Sequence, residues 1–183
     1  MKRQIIENTT LYTSRGYATR KKIKDEFFRN SCDISEGSSV LAKSESNDCV
    51  VRAFMCVLDI NYDMAHKWVK TKFGRVNRKG TYTSRHLSAV IGKVKNGKKL
   101  TMYGWSPDKA YSDERRKKLL VNPNYKKQTA YTVKSFMEEH PEGRYFIIVN
   151  RHALALVDGV LYGNSNEQYD GFRRRIHYVV KIK

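Results

Sequence analysis

The chain has 183 residues, enough for one domain that buries its own core without disulfide or metal support. Hydrophobic residues at 40% and aromatics at 11% exclude wholesale disorder, and no apolar run reaches the ~18–20 residues of a membrane helix. Lys and Arg number 36 against 18 Asp and Glu, a formal charge of +18 that asks for an anionic partner.

Three cysteines without CxxC spacing argue against a disulfide framework, so a reducing cytoplasm is the expected setting. The first 17 residues lack the apolar segment of a secretory leader. No partner membrane is expected. The charge is uneven: residues 1–30 carry +5, 31–66 carry −4, 67–127 carry +15 and 128–183 carry +2. The basic character therefore belongs to the middle of the chain and to an N-terminal arm.

In chain order, residues 1–45 read as a basic arm and loop. Arg20, Lys21, Lys22 and Lys24 ahead of Phe27 and Phe28 suggest a short basic helix. The Ser- and Gly-rich stretch 31–46 reads as loop. The patterned domain is expected over 46–183. Val50, Phe54, Val57 and Leu58 mark one face of a helix, with Asn47 or Asp48 as its N-cap and Cys49 in its first turn. A second helix runs to Phe73, capped by Asn61 or Asp63 and stopped by Gly74. Residues 76–129 read as a basic insertion, with a short helix over 84–91 and a strand over 100–105. Thr132 caps a helix to about Glu139, which Pro141 and Gly143 end. Strands follow at 145–149, 152–157, 160–162 and 175–182, and Asp158-Gly159 is a hairpin signal. Helices first and an antiparallel sheet after them make an α+β fold.

Two residues stand out chemically. A cysteine in a helix's first turn sits among free N–H groups at the positive end of the dipole, which favours the nucleophilic thiolate. Cys49 is therefore the candidate nucleophile; the alternative is a small buried hydrophobe. Cys56 takes that second reading, and Cys32 reads as a loop thiol. His152 opens a strand otherwise built of Ala, Leu and Val, where its ring can meet a helix N-terminus. Asn164 lies just past the next strand, near the ring, and a carbonyl there can fix its tautomer. Asn166 and Asp158 are alternatives, although Asp158 also serves as the turn residue.

The order Cys, His, Asn resembles the papain-like cysteine peptidase superfamily. More closely, Asn47-Asp48-Cys49-Val50-Val51-Arg52-Ala53 resembles the Asn-Asp-Cys-x-x-Arg-Ala segment of small phage and bacterial proteins with that fold. Residues 143–147 and 152–162 are similar to their β segments, so the likeness spans 45–75 and 130–166. It implies a papain-like α+β domain, with Cys-bearing helices packed on a sheet that carries His152, in a phage-encoded protein acting in a host cytoplasm. It implies attack on a carbonyl by Cys49, proton transfer by His152, orientation of that ring by Asn164 and an oxyanion site at the Cys49 N–H. The superfamily's second oxyanion donor is a Gln before the Cys. No Gln occurs between Gln4 and Gln128, and Asn47 is the nearest amide able to substitute.

No Walker A, HExxH or zinc-spaced Cys/His cluster is present, and neither cofactor nor metal is expected. Between residues 67 and 127, cations interleave with Tyr82, Tyr111 and Tyr125. Arg75, Arg78, Lys79, Arg115, Arg116, Lys117, Lys118, Lys126 and Lys127 are the candidates for contact with an acidic protein or nucleic acid. The expectation is a thiol hydrolase acting on an acidic or nucleic-acid-associated protein. A non-catalytic basic binding protein on the same fold is the alternative.

Overall fold

The computed structural model describes residues 26–83, 94–95, 98–105, 132–164 and 171–183. The expected basic helix at 20–24, the helix at 84–91, the cations of 115–118 and 126–127, Tyr111, Tyr125 and Asn166 lie outside the described residues.

The elements in order are β1 (Phe28–Asn30), α1 (Ser31–Ser38), α2 (Val40–Ser44), α3 (Cys49–Leu58), α4 (Tyr62–Phe73), β2 (Val94–Lys95) and β3 (Lys98–Trp105). After them come α5 (Val133–Glu139), β4 (Arg144–Val149), β5 (His152–Val157), β6 (Val160–Gly163), a short 3-10 turn (Gly171–Arg173) and β7 (Ile176–Ile182). The strands form one sheet in the order β1-β6-β5-β4-β7-β3-β2. Helices pack on it, so the protein is α+β. The sheet is mixed, where an antiparallel one was expected, because β1 runs parallel to β6, Phe28 opposite Leu161.

The centre of the sheet follows from alternation. Along β5, Leu154 and Leu156 point into one core with Phe136, Met137, Ile147 and Val179, on the α5 side. Ala153 and Ala155 point the other way, into a core with Phe54, Val57, Phe146 and Val180, on the α3 side. Two alanines under α3 leave room for its backbone to come close to β5. Phe54 then stacks on Phe146 with ring centroids 4.2 Å apart. At the far end of α3, Arg144 of β4 donates to the Val57 and Cys56 carbonyls at 2.7 and 2.6 Å, where a helix leaves acceptors and negative potential. Helix and sheet are thus joined at mid-helix and at the helix's C-terminal end.

The hairpin forms as its sequence dictates. Asp158 and Gly159 both take positive φ, 47° and 80°, joining β5 to β6. The Asp158 carboxylate accepts from the Gly143 N–H at 2.9 Å, so this side chain is spent on the turn. Asn61 caps α4 through the Met64 N–H and Gly74 ends it at φ 62°. Thr132 caps α5 in a reciprocal pair with Ser135.

The stretch 31–46 departs from its loop reading: it forms α1 and α2. Its polar residues are caps and backbone partners. Asn30 accepts from the Cys32 N–H and Ser39 from the Ala42 N–H, starting the two helices. Ser35, Ser38 and Ser44 return their hydroxyls to carbonyls three or four residues back. A composition that favours turns was here distributed over helix ends. Phe28, which follows the expected basic helix, opens β1 and is buried against the α5-side core. Position 45, the expected end of the arm, falls between α2 and α3.

Candidate active site

The C-terminal ends of β4, β6 and the start of β5 meet the N-terminus of α3 around a cavity of about 1000 Å³. Its lining draws on both faces of the sheet, Ile148 and Ala153 from one and Val149 from the other, so it opens over the strand ends. The loop 74–83 supplies another part of the wall, with Val76, Lys79 and Tyr82. Cys49, His152, Asn164 and Asn47 all line it.

Each arrives by a different route. Cys49 is the first residue of α3, half-buried. Its thiol is placed against the peptide between His152 and Ala153, with the Ala153 and Val50 N–H groups as its backbone donors. His152 begins β5 opposite Val149, across the two-residue turn Asn150-Arg151. The Arg174 guanidinium donates to the Asn150 carbonyl and ties that turn down. Continuing the β5–β6 register of Ala155 with Tyr162 by two residues sets Asn164 across from Ala153, beside His152. Cys32, read from sequence as a loop thiol, sits in α1 and lines the same cavity, as does His177 of β7, which the sequence did not single out. Asp158 lies at the opposite end of the hairpin.

The electrostatics differ from the expected activated thiol. Burial pushes the Cys49 thiol up, and the neighbouring Asp48 charge adds to it; the Ala153 and Val50 N–H groups and the Arg75 charge pull the other way without prevailing. The helix N-terminus is thus outweighed by desolvation. Burial also pushes His152 down to about 4, helped by Arg174 and opposed by Asp48. The site rests with a neutral thiol and a neutral imidazole at pH 7. Burial pushes Cys56 up to about 12, which fits an inert core thiol.

Asp48 shapes this site from the N-cap position, yet it makes no capping hydrogen bond. Its Oδ2 accepts from Arg52 Nε at 2.8 Å and from the Tyr62 hydroxyl at 2.6 Å, all three groups being buried. Arg52 reaches on to the Ser35 hydroxyl at 2.7 Å, the Glu36 carboxylate at 3.3 Å and the Ala42 carbonyl. The Asp-x-x-x-Arg spacing is therefore a buried i,i+4 ion pair that fastens α1 and α2 to α3. Burial and the Asp48 contact keep Tyr62 protonated, as the donor it must be.

A second buried charge cluster fixes the wall. Arg75 is 3% exposed. One of its terminal nitrogens donates to the Glu45 carboxylate at 2.7 Å and the Ser46 carbonyl at 3.0 Å; the other donates to the Asn47 carbonyl at 3.1 Å and to the Lys79 carbonyl. Glu45 also accepts from the Arg78 N–H at 2.8 Å and lies 3.6 Å from His66. Burial alone would raise this carboxyl, but the Arg78 N–H and Arg75 hold it below the usual range. Arg75, counted by sequence among the partner-binding cations, is thus enclosed and serves the fold. Arg78 and Lys79 are exposed. Asn47 sits at φ 53° and its amide donates to the Arg78 carbonyl at 3.2 Å, so one of its two N–H bonds is committed.

Among the described residues no cluster of His, Cys, Asp and Glu is arranged to hold a metal ion, and no helix is long and apolar enough to cross a membrane. No family model, curated protein or solved structure matches the chain.

Proposed function

We propose that the protein is a thiol-dependent hydrolase on a papain-like plan, cleaving a peptide or isopeptide bond or deamidating a side chain. The observation that carries this reading is the convergence of Cys49, His152 and Asn164 on one cavity, with the Cys49 thiol lying against the peptide that follows His152. The resting pair is neutral, so the chemistry is of the general-base kind. Cys49 Sγ attacks the carbonyl carbon as its proton passes to His152. The oxyanion forms at the free N–H of Cys49, in the first turn of α3, with the second N–H of Asn47 as the other donor in reach of the cavity. Collapse breaks the C–N bond, and the leaving amine, or ammonia in a deamidation, takes the proton from the imidazolium. Water then attacks the thioester, with His152 again as base, and frees the thiol. Asn164 holds the ring. The basic stretch 67–127 brings the enzyme to an acidic or nucleic-acid-associated protein, in the host cytoplasm of a phage-encoded product.

The pH behaviour favours a second reading: a raised thiol and a lowered imidazole are also what a non-catalytic binding module on the same fold would keep. Acylation of Cys49 by p-nitrophenyl acetate separates the two. The hydrolase reading expects a burst of nitrophenolate equal to the Cys49 content, slowed ~10²-fold or more in His152→Ala, the usual scale of general-base loss. Equal rates in the two proteins would leave the binding module.

A further inference from the structure

We infer that the cavity above Cys49 takes an extended acidic polypeptide segment, which Lys79 and Arg151 recognise. This deepens the hydrolase reading and rests on it for the carbonyl at the thiol. Among the described residues, four charged side chains line the cavity: Asp48, Arg52, Lys79 and Arg151. Asp48 and Arg52 satisfy each other at 2.8 Å, so together they offer a substrate no net charge. The remaining two are both cations and both exposed, and among the described residues no carboxylate forms an ion pair with either. They stand on two of the segments that line the cavity, Lys79 on the loop 74–83 and Arg151 in the turn before His152. An anionic segment lying across Cys49 meets a cation on each segment.

The same loop leaves Val76 and Tyr82 62% and 77% exposed beside the cavity. Its backbone is held by Arg75 at the Lys79 carbonyl, and the same nitrogen reaches the Thr81 hydroxyl at 3.4 Å. These side chains are offered on a fixed wall, and they suit an apolar side chain of a substrate next to its acidic ones. Polynucleotide is the less suitable occupant. Two separated cations do not track a phosphate at every step, and a phosphodiester gives the thiol no carbonyl to attack. With a net charge of +18, the whole molecule draws such a segment in.

The test is protection of Cys49 from iodoacetamide at alkaline pH, with each alkylated cysteine identified by mass. The probes are blocked hexapeptides, identical except for carrying two Glu, two Gln or two Lys, and a thymidine dodecanucleotide. The Glu peptide is expected to protect at about tenfold lower concentration than the Gln peptide, the scale of two partly screened ion pairs, and the Lys peptide least. In the Lys79→Glu, Arg151→Glu double variant the order reverses, which a merely destabilised protein would not produce. Equal protection by the Glu and Gln peptides, or an order unchanged by the charge reversal, overturns the inference. So does stronger protection by the oligonucleotide than by the Glu peptide. Charge-ordered protection in a protein that shows no acylation burst supports the inference and counts against the hydrolase reading, so the two fail separately.

Discussion

The Arg75 guanidinium donates to the Asn47 carbonyl at 3.1 Å, two residues before Cys49 and 28 residues away in sequence. That bond holds a non-glycine residue at φ 53°, a conformation that L side chains seldom adopt. The same guanidinium grips the Ser46 carbonyl on one side and the Lys79 carbonyl on the other. One buried cation therefore sets both the approach to the thiol and the wall beside it.

Removing it should be costly. Arg75→Met leaves Glu45 buried beside His66 without its main partner, and the expected loss is about 3–5 kcal/mol in urea unfolding. Arg75→Lys restores the charge but offers neither the fork nor the reach for acceptors on two segments, so it should recover only part of that loss. A change below about 1 kcal/mol for Arg75→Met, within the range of a surface ion pair, would show that the cluster is not the anchor of the loop.

His152 makes stability depend on pH in a definite window. Its folded value, about 4, lies below the ordinary 6.5, so the folded protein resists a proton that the unfolded chain accepts. The contribution is complete above pH 6.5 and is lost as pH falls from there to about 4. The gap corresponds to roughly 3 kcal/mol. His152→Gln should lose correspondingly less stability between pH 7 and pH 4 than the wild type in parallel denaturant titrations. Two curves of equal slope over that window would mean that the ring is not desolvated in solution.

The Ala153 and Ala155 pair gives a third expectation. Both lie under α3 and are buried, Ala155 completely. Ala155→Leu forces extra volume between α3 and β5, at a cost of about 1–3 kcal/mol. Because Cys49 opens that same helix, the thiol should also move away from the Ala153 N–H. The check is the acylation burst measured where the variant is still fully folded: a slower burst is expected, and an unchanged one would mean that α3 yields elsewhere.

Legibility in the sequence followed the range of the interactions. The starts of α3 and α4 and the stop of α4 at Gly74 were legible because apolar spacing and caps are local. The β4–β5–β6 meander was visible because Asp158-Gly159 states its own turn and the Ala and Leu residues of β5 alternate. The placing of Asn164 followed, since an antiparallel register is fixed by its turn. β1 was not visible. Its three residues are a strand only because β6, some 130 residues on, supplies the partner. His177 reaches the cavity through the pairing of β7 with β4, which no local pattern announces. Arg75 looked like one more cation of a basic stretch, and its partners Glu45, Ser46 and Asn47 are about 30 residues upstream. The setting of the Cys49 thiol was legible only in part, for a related reason. A helix start can be seen in sequence; the burial that pushes the thiol up cannot.

Asp48 makes the last prediction, because it acts on stability and on the thiol in opposite directions. Its charge raises Cys49, after burial the largest upward influence there. It also neutralises Arg52, which is buried at the joint between α1, α2 and α3. Asp48→Asn keeps an oxygen for the Tyr62 hydroxyl and removes only the charge. Arg52 then has Glu36 as its remaining carboxylate, at 3.3 Å and more exposed, so the expected loss is about 3 kcal/mol, the low end for breaking a buried pair. The thiol, freed of a neighbouring negative charge, should ionise at lower pH and be alkylated faster by iodoacetamide at pH 7. The measurement pairs a denaturant titration with the pH–rate profile of alkylation at Cys49, taken where the variant is folded. A less stable protein with a more reactive thiol is the expected outcome. If reactivity fell together with stability, Asp48 would be acting on Cys49 through the placement of α3 rather than through its field.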